Sequence, residues 1–363
     1  MFTEHIFLTG DARNLEFVEN NSIDLVVTSP PYPMIKMWDS QFATMDPNIE
    51  LYLKQGEGSK AFEAMHLLLD EAWKELHRVV KDGAYICINV GDAARSINSK
   101  FELFVNHSRI QVKLLELGFK LFPLIIWRKQ TNAPNKFMGS GMLPAGAYVT
   151  LEHEYVILAR KGPKRVFKTL EEKQNRKKSA YFWEERNTWF SDLWDFKGTR
   201  QETKSLQLRK RSAAFPILLP FRLINMFSVH GDKVLDPFAG MGTTVLAAMA
   251  AGRNSIACEV DNSFIEPIRD RLTSELSTLN RLNLQRLKAH RDFIEKYQEK
   301  KGKPKYLNSY FHFPVITRQE EELKIFFIET IEITGKSSYK VYYYDDQDVQ
   351  ALNLENLGIG IHL

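Results

Sequence analysis

Residues 28–32 read Thr-Ser-Pro-Pro-Tyr and close an apolar run of β-formers at 23–28. Two adjacent prolines permit neither a helix nor a continuing central strand, so the run must stop there. Its mouth carries the hydroxyl of Ser29, rigid carbonyls at Pro30 and Pro31, and the ring of Tyr32. A second stretch, VLDPFAGMGTTVLAAMAAGR from 234 to 253, reads as a strand, a glycine turn and an Ala-rich helix. Gly240 and Gly242 let the backbone approach a ligand closely, and the helix start offers unpaired N–H donors. Val245 stands where the third glycine of a dinucleotide fingerprint would fall, and no Gly-Lys-Ser/Thr follows to make a phosphate loop. The next strand, 255–258, leads into Glu259, about 20 residues past the turn, where a carboxylate accepts both hydroxyls of a ribose. A nucleoside cofactor is the expectation.

Other patterns lead nowhere. His153-Glu154 is no zinc helix, because Ile157 stands where the second histidine is needed. Gly139-Ser140-Gly141 lacks the Gly-x-Ser-x-Gly of a hydrolase elbow. No cysteine follows a proline, so covalent attack on a pyrimidine ring has no nucleophile. Cys87 and Cys258 sit in strand-like segments and read as reduced, buried thiols, with neither a disulfide nor a metal site expected.

The elements that must position these residues alternate as in an α/β protein with a mainly parallel sheet. Strands are expected at 5–8, 23–28, 85–90, 121–127, 155–159, 233–235 and 255–258, and helices at 62–80, 100–117 and 243–251. The segment 33–58, with Trp38, is expected as a connection that either closes over the site or merely crosses the surface. A helical run over about 262–300 precedes a hairpin turning at Gly335-Lys336, expected as an add-on packed against the core. The chain of 363 residues is 44% apolar, enough for a substantial core. No apolar run approaches the roughly 18 residues of a membrane span, and the start MFTEHIFLTGD lacks a basic stretch before a long apolar one. No membrane contact and a cytoplasmic address are expected. The net charge is only +4, but residues 160–211 hold sixteen Lys/Arg against seven Asp/Glu, interleaved with Phe, Tyr and Trp. That asymmetry points to a polyanionic partner.

The pair TSPPY and DPFAGMGTT resembles the amino-methylating DNA methyltransferases, which use S-adenosyl-L-methionine to modify an exocyclic amine of cytosine or adenine. FLTGDARNL, ELHRVVKDGAYICINVGD, ELGFKLFPLIIWRK, HEYVILARKG and AAFPILLPFRLINMFSVHGDKVLDPF support the match, which spans roughly residues 5–275. The catalytic motif precedes the glycine motif with a basic region between, the order of the β group. Serine in place of Asp or Asn makes the chain similar to the N4-cytosine enzymes, with N6-adenine transfer as the alternative and a non-catalytic nucleic-acid-binding protein as a more distant one.

The resemblance implies a seven-stranded, mostly parallel Rossmann-like sheet, circularly permuted so that 5–8 is the third strand, 23–28 the fourth and 234–235 the first. It also implies four regions. These are a catalytic half at 1–159, a target-recognition region at 160–211, a cofactor-binding half at 212–275 and a helical and β extension at 276–363. Asp11 and Phe238 would lie near the cofactor adenine, with Phe215, Asp236, Pro237, Gly240, Gly242, Thr243, Thr244 and Glu259 completing the cofactor site. Ser29, Pro30, Pro31 and Tyr32 would form the catalytic site. An exocyclic amine is a poor nucleophile because its lone pair is delocalised. Hydrogen bonds accepted by Ser29 Oγ and the Pro30 carbonyl would free that pair and lie beside the positive charge that develops on transfer. Tyr32 would stack on a base rotated out of duplex DNA. The clusters Arg176-Lys177-Lys178 and Arg209-Lys210-Arg211 are the first candidates for phosphate contacts, with Trp183, Trp189 and Trp194 expected in a local core. Double-stranded DNA is the expected substrate, and a cognate restriction endonuclease a possible partner in a restriction-modification pair.

Overall fold

A computed structural model describes residues 1–129, 138–198 and 215–345. Its centre is one sheet of eleven strands, numbered here in chain order. They are β1 (Phe2–Thr9), β2 (Ile23–Thr28), β3 (Val80–Val90), β4 (Phe119–Leu121), β5 (Ile125–Arg128), β6 (His153–Lys161), β7 (Leu193–Asp195), β8 (Lys233–Asp236), β9 (Asn254–Glu259), β10 (Ile328–Ile333) and β11 (Ser338–Tyr343). The spatial order is β7-β5-β6-β3-β2-β8-β9-β1-β11-β10, with β4 beside β6. β1, β9, β8, β2 and β3 are mutually parallel, and β6 runs against both β3 and β5. β8, expected as the first strand, is therefore central, with β2, expected as the fourth, on one side and β9 then β1, expected as the third, on the other.

Every residue of β2 is buried, as in a parallel strand covered on both faces, and its two polar side chains are paired, Asp24 with Lys81 at 2.7 Å and Thr28 with Asp236 at 2.6 Å. One face is covered by the helix Gly58–Val79, whose Met65, Leu69, Trp73 and Leu76 recur on one side. The other is covered by Leu218–Phe227 and by Thr243–Ala250, a helix with no exposed residue, whose alanines let it lie close to the sheet.

Three expectations change. The stretch 100–117 is helical only over Asn106–Glu116. Its first residues form Lys100–Phe104, antiparallel to Ala93–Ile97 through a turn in which Asn98 and Ser99 both have positive φ. That is the geometry a tight hairpin needs, supplied without the usual glycine. The run 121–127 is split into β4 and β5 around Pro123, which cannot donate to the ladder. The C-terminal hairpin is no add-on: β11 pairs antiparallel with β1 and extends the central sheet, and the Tyr343 hydroxyl donates to Met249 O at 2.7 Å. The helix Leu276–Lys301 is tied in as well, because Asn283 Nδ2 donates to Ala250 O and Phe326 O at 2.7 and 2.8 Å.

Candidate active site

The C-terminal ends of β1, β2, β8 and β9 open into one cavity of about 720 Å³. Crevices at that edge are where parallel α/β sheets bind ligands, and the volume falls within the roughly 300–1,000 Å³ of small-molecule sites. Asp11, Ser29, Pro30, Pro31, Phe215, Asp236, Pro237, Phe238, Gly240, Thr243 and Glu259 all line it. The segment 33–58 is not an irregular connection. It folds into Asp39–Met45 and Pro47–Gln55, and Met37, Trp38 and Phe42 form a wall of the cavity. Arg95 fastens this wall through two bonds to Asp39, at 2.8 and 2.7 Å.

The two glycines of the turn do different work. Gly240 lines the cavity at φ +49°, and the space a side chain there would occupy is open. Gly242 caps the helix Thr243–Ala250 at φ +71° and does not line the cavity; a Cβ there would meet Ile268 Cγ2 at 3.3 Å. Its expected approach to a ligand is thus replaced by a conformational and packing requirement. Thr244 is likewise buried away from the cavity, its hydroxyl 3.3 Å from the Val27 carbonyl. Asp236 is buried beneath the turn, accepting from Thr28 Oγ1 at 2.6 Å and from the Phe238 amide at 3.1 Å. Burial pushes its carboxyl up to about 6.

Glu259 ends β9 with each oxygen already engaged by one amide, Gly240 N at 2.8 Å and Asp261 N at 3.0 Å. A carboxylate has about four lone-pair positions, so capacity remains for hydroxyl donors in the cavity. Burial raises its carboxyl above the ordinary range. At Asp11 burial also opposes ionisation, but the Arg13 guanidinium outweighs it and holds the carboxyl low, with Nη2 at 2.6 Å and Nε at 3.0 Å from both oxygens. Phe238 lies edge-on to Trp73 at 6.1 Å.

Beside this pocket, Ser29 Oγ is 3.0 Å from the Tyr32 hydroxyl. The Tyr32 ring is buried rather than presented to the cavity, packed so closely on Gly91 that a Cβ there would lie 3.2 Å from it. The expected stacking platform is therefore a seated ring, and its hydroxyl is the part that reaches Ser29. That hydroxyl also meets Asn89 Nδ2 at 2.9 Å and Glu154 Oε2 at 3.1 Å, while Asn89 donates to Glu154 at 2.6 Å and Lys129 pairs with Glu154. No local pattern in the sequence marks Asn89, Glu154, Lys129 or Arg13 for these roles. Glu154 is more than a hundred residues from Tyr32, and only the adjacency of β2, β3 and β6 brings them together.

The basic stretch divides. β6 runs against the parallel strands, so the chain leaves it at the edge of the sheet opposite the cavity. There Arg165 pairs with Asp232, just before β8, and Asn175 Nδ2 donates to His230 O. Lys177 pairs with Glu322. The cluster Arg176-Lys177-Lys178 thus ends the helix Leu170–Lys178 away from Ser29. Phe182, Leu284, Leu287 and Phe327 share a separate core there, and Glu185 pairs with Arg286 at 2.6 Å. Trp189 and Trp194 are buried as expected, whereas Trp183 is 41% exposed. Arg209, Lys210 and Arg211 lie outside the described residues.

A family model for DNA methylases that modify N6 or N4 matches residues 23–270. The chain belongs to the N6/N4 DNA methylases. It is 44% identical to the type II methyltransferase M.MthZI of Methanothermobacter thermautotrophicus, over 95% of this chain and 96% of that one. It is 46% identical to the type II methyltransferase M.MjaI of Methanocaldococcus jannaschii, over 73% and 90% respectively. A Thermus thermophilus protein assigned to the DNA modification methylases and solved with S-adenosyl-L-methionine superimposes with a TM-score of 0.58 at 31% identity, covering 75% of this chain and 94% of that one. The cytosine-N4-specific PvuII methyltransferase shares the fold, with a TM-score of 0.51 at 17% identity and covering 74% and 86%.

S-adenosyl-L-methionine is the family's methyl donor, and the residues present fit it. The cavity has the volume, Gly240 leaves the turn open, Glu259 keeps acceptor capacity for ribose hydroxyls, and Phe238 offers an apolar wall. No cluster that could hold a metal ion occurs among the described residues, and no helix among them is long and apolar enough to cross a membrane.

Proposed function

We propose that this DNA methyltransferase acts on the N4 amine of cytosine in a specific duplex sequence. The observation that carries this reading is that Ser29 and Pro30 line the same cavity as Glu259 and the glycine turn. Bound S-adenosyl-L-methionine supplies an electrophilic methyl group. Glu259 accepts from its ribose and Phe238 packs beside its base. Ser29 Oγ and the Pro30 carbonyl accept the two hydrogens of the target amine, which draws the nitrogen toward tetrahedral geometry and frees its lone pair. The same two oxygens lie beside the charge that grows during transfer, and this favours the transition state over the ground state. The nitrogen lone pair forms the new N–C bond as the bond between the methyl and the donor sulfur breaks, the sulfur keeping that pair as a neutral thioether, and the alkylated nitrogen then gives up one of its two hydrogens as a proton to water. The prolines hold the acceptors in place beforehand. Because the amine is inaccessible inside a duplex, the base must rotate out to reach Ser29. The full-length relatives are type II methyltransferases by name, and a restriction endonuclease sharing the recognition sequence is the proposed functional partner.

The test is incubation with methyl-labelled S-adenosyl-L-methionine and duplexes of varied sequence, followed by digestion to nucleosides and mass analysis. Label in N4-methylcytosine is the expected result. Label in N6-methyladenine would reassign the target, and label in 5-methylcytosine or none in DNA would overturn the mechanism.

A further inference from the structure

Ser29 can activate an amine only by accepting its hydrogens, yet a serine hydroxyl is also a donor. If its own hydrogen pointed into the cavity it would oppose the amine hydrogens or bond to the lone pair that must attack. Something has to hold that hydrogen away from the substrate. The network behind Ser29 does so by the chemistry of its members.

Glu154 anchors that network. It lies on β6 with its side chain only 12% exposed and is paired with Lys129, whose ammonium also sits 5.0 Å from the Trp127 ring centre. A carboxylate in such a pair accepts and does not donate. Asn89, buried on β3, must therefore turn its amide nitrogen to Glu154 at 2.6 Å, and the same nitrogen reaches the Tyr32 oxygen at 2.9 Å. The Tyr32 hydroxyl has one hydrogen, and Glu154 Oε2 at 3.1 Å takes it. Tyr32 Oη is then left with acceptor positions only, one for Asn89 and one for Ser29. Ser29 at 3.0 Å has to donate to it, and both lone pairs of Ser29 Oγ remain for the amine.

We propose that Glu154 is a positioning residue for methyl transfer: through Asn89 and Tyr32 it fixes the direction of the hydrogen-bond chain so that Ser29 presents lone pairs, never a hydrogen, to the target base. Resting on the proposed amine transfer, this gives the tyrosine of Ser-Pro-Pro-Tyr a role through its hydroxyl rather than its ring face. Gly91 packs closely against both partners, since a Cβ there would lie 3.2 Å from the Tyr32 ring and 3.3 Å from Glu154 Cγ.

Single-turnover methyl transfer on a duplex that the wild-type enzyme methylates, with cofactor and DNA affinities measured separately, tests the proposal as a double-mutant cycle. Glu154→Gln offers Tyr32 a donor of nearly the same shape, and Tyr32→Phe keeps the ring while removing the link. Each should lower the single-turnover rate by roughly 10-fold or more with both affinities close to wild type, and neither should lower it further when Ser29→Ala is already present. A wild-type rate in Glu154→Gln, or losses that multiply fully with that of Ser29→Ala, would overturn the proposal. Tyr32→Phe keeps the test decisive should Glu154→Gln fold poorly. Failure of the wild-type enzyme to methylate any duplex would instead overturn the proposed function.

Discussion

At the residue scale, the site is a set of polar groups in which burial and amide donors decide what each can do. Glu259 is held by two backbone amides, so its remaining lone pairs point to a ligand rather than to a folding partner. Glu259→Ala should cost about 1.5–3 kcal/mol of S-adenosyl-L-methionine affinity, as for loss of a charged hydrogen bond, and should also lower the melting temperature, because the Gly240 and Asp261 amides lose their acceptor. Calorimetry would show it; unchanged affinity would remove the ribose role. Asp236 behaves differently. Its folded carboxyl is raised to about 6 by burial, above the 3.8 of the unfolded chain. The protonated form is thus favoured by folding, and this contribution to stability is full below about pH 4 and lost as pH rises through about 6. The step is on the order of 3 kcal/mol. Denaturant unfolding from pH 4 to 7 should reveal it in the wild type and not in Asp236→Asn, and identical profiles would contradict the assignment. Ser29, Pro30, Glu259 and Gly240 were legible in the sequence because each belongs to a short local pattern. Asn89 and Glu154 were not, since they join Ser29 only through neighbouring strands.

At the scale of elements, local chemistry fixed most strands to within a few residues. β2 occupies the expected residues 23–28, because Pro30 and Pro31 end it. The failures have local causes. Asn98 and Ser99 turn a hairpin in left-handed geometry that glycine usually signals, and Pro123 cuts one apolar run into two strands. The C-terminal hairpin was legible as a hairpin but not as a continuation of the sheet, since nothing in its own sequence names its partner. Its pairing with β1 carries a consequence. Truncation after residue 327 would expose the N–H and C=O groups of β1 along a long edge, which favours association between chains. The truncated protein should melt at a lower temperature and scatter light at micromolar concentrations. A soluble truncation with an unaltered melting temperature would show that β11 only decorates the sheet.

At the scale of the whole molecule, the charge asymmetry was plain in the sequence, but its distribution was not. A basic run looks continuous when read along the chain, whereas the antiparallel course of β6 sends its first part to the edge opposite the cavity. Arg165 and Lys177 are there engaged with Asp232 and Glu322. Replacing Arg176, Lys177 and Lys178 with alanine should therefore leave the salt dependence of DNA affinity unchanged. Removing Arg209, Lys210 and Arg211 should lower the slope of log affinity against log salt by about 0.9 for each phosphate no longer neutralised. DNA titrations at several salt concentrations distinguish the two, and a slope reduced by the first replacement would place DNA on the far edge. The central claim, that Ser29 acts on the target amine rather than on the cofactor, is tested most directly by Ser29→Ala in a single turnover on methylatable DNA. The account predicts a rate reduced by roughly 10-fold or more, equivalent to at least about 1.4 kcal/mol, with S-adenosyl-L-methionine affinity unchanged. A wild-type rate, or a loss confined to cofactor binding, would contradict it.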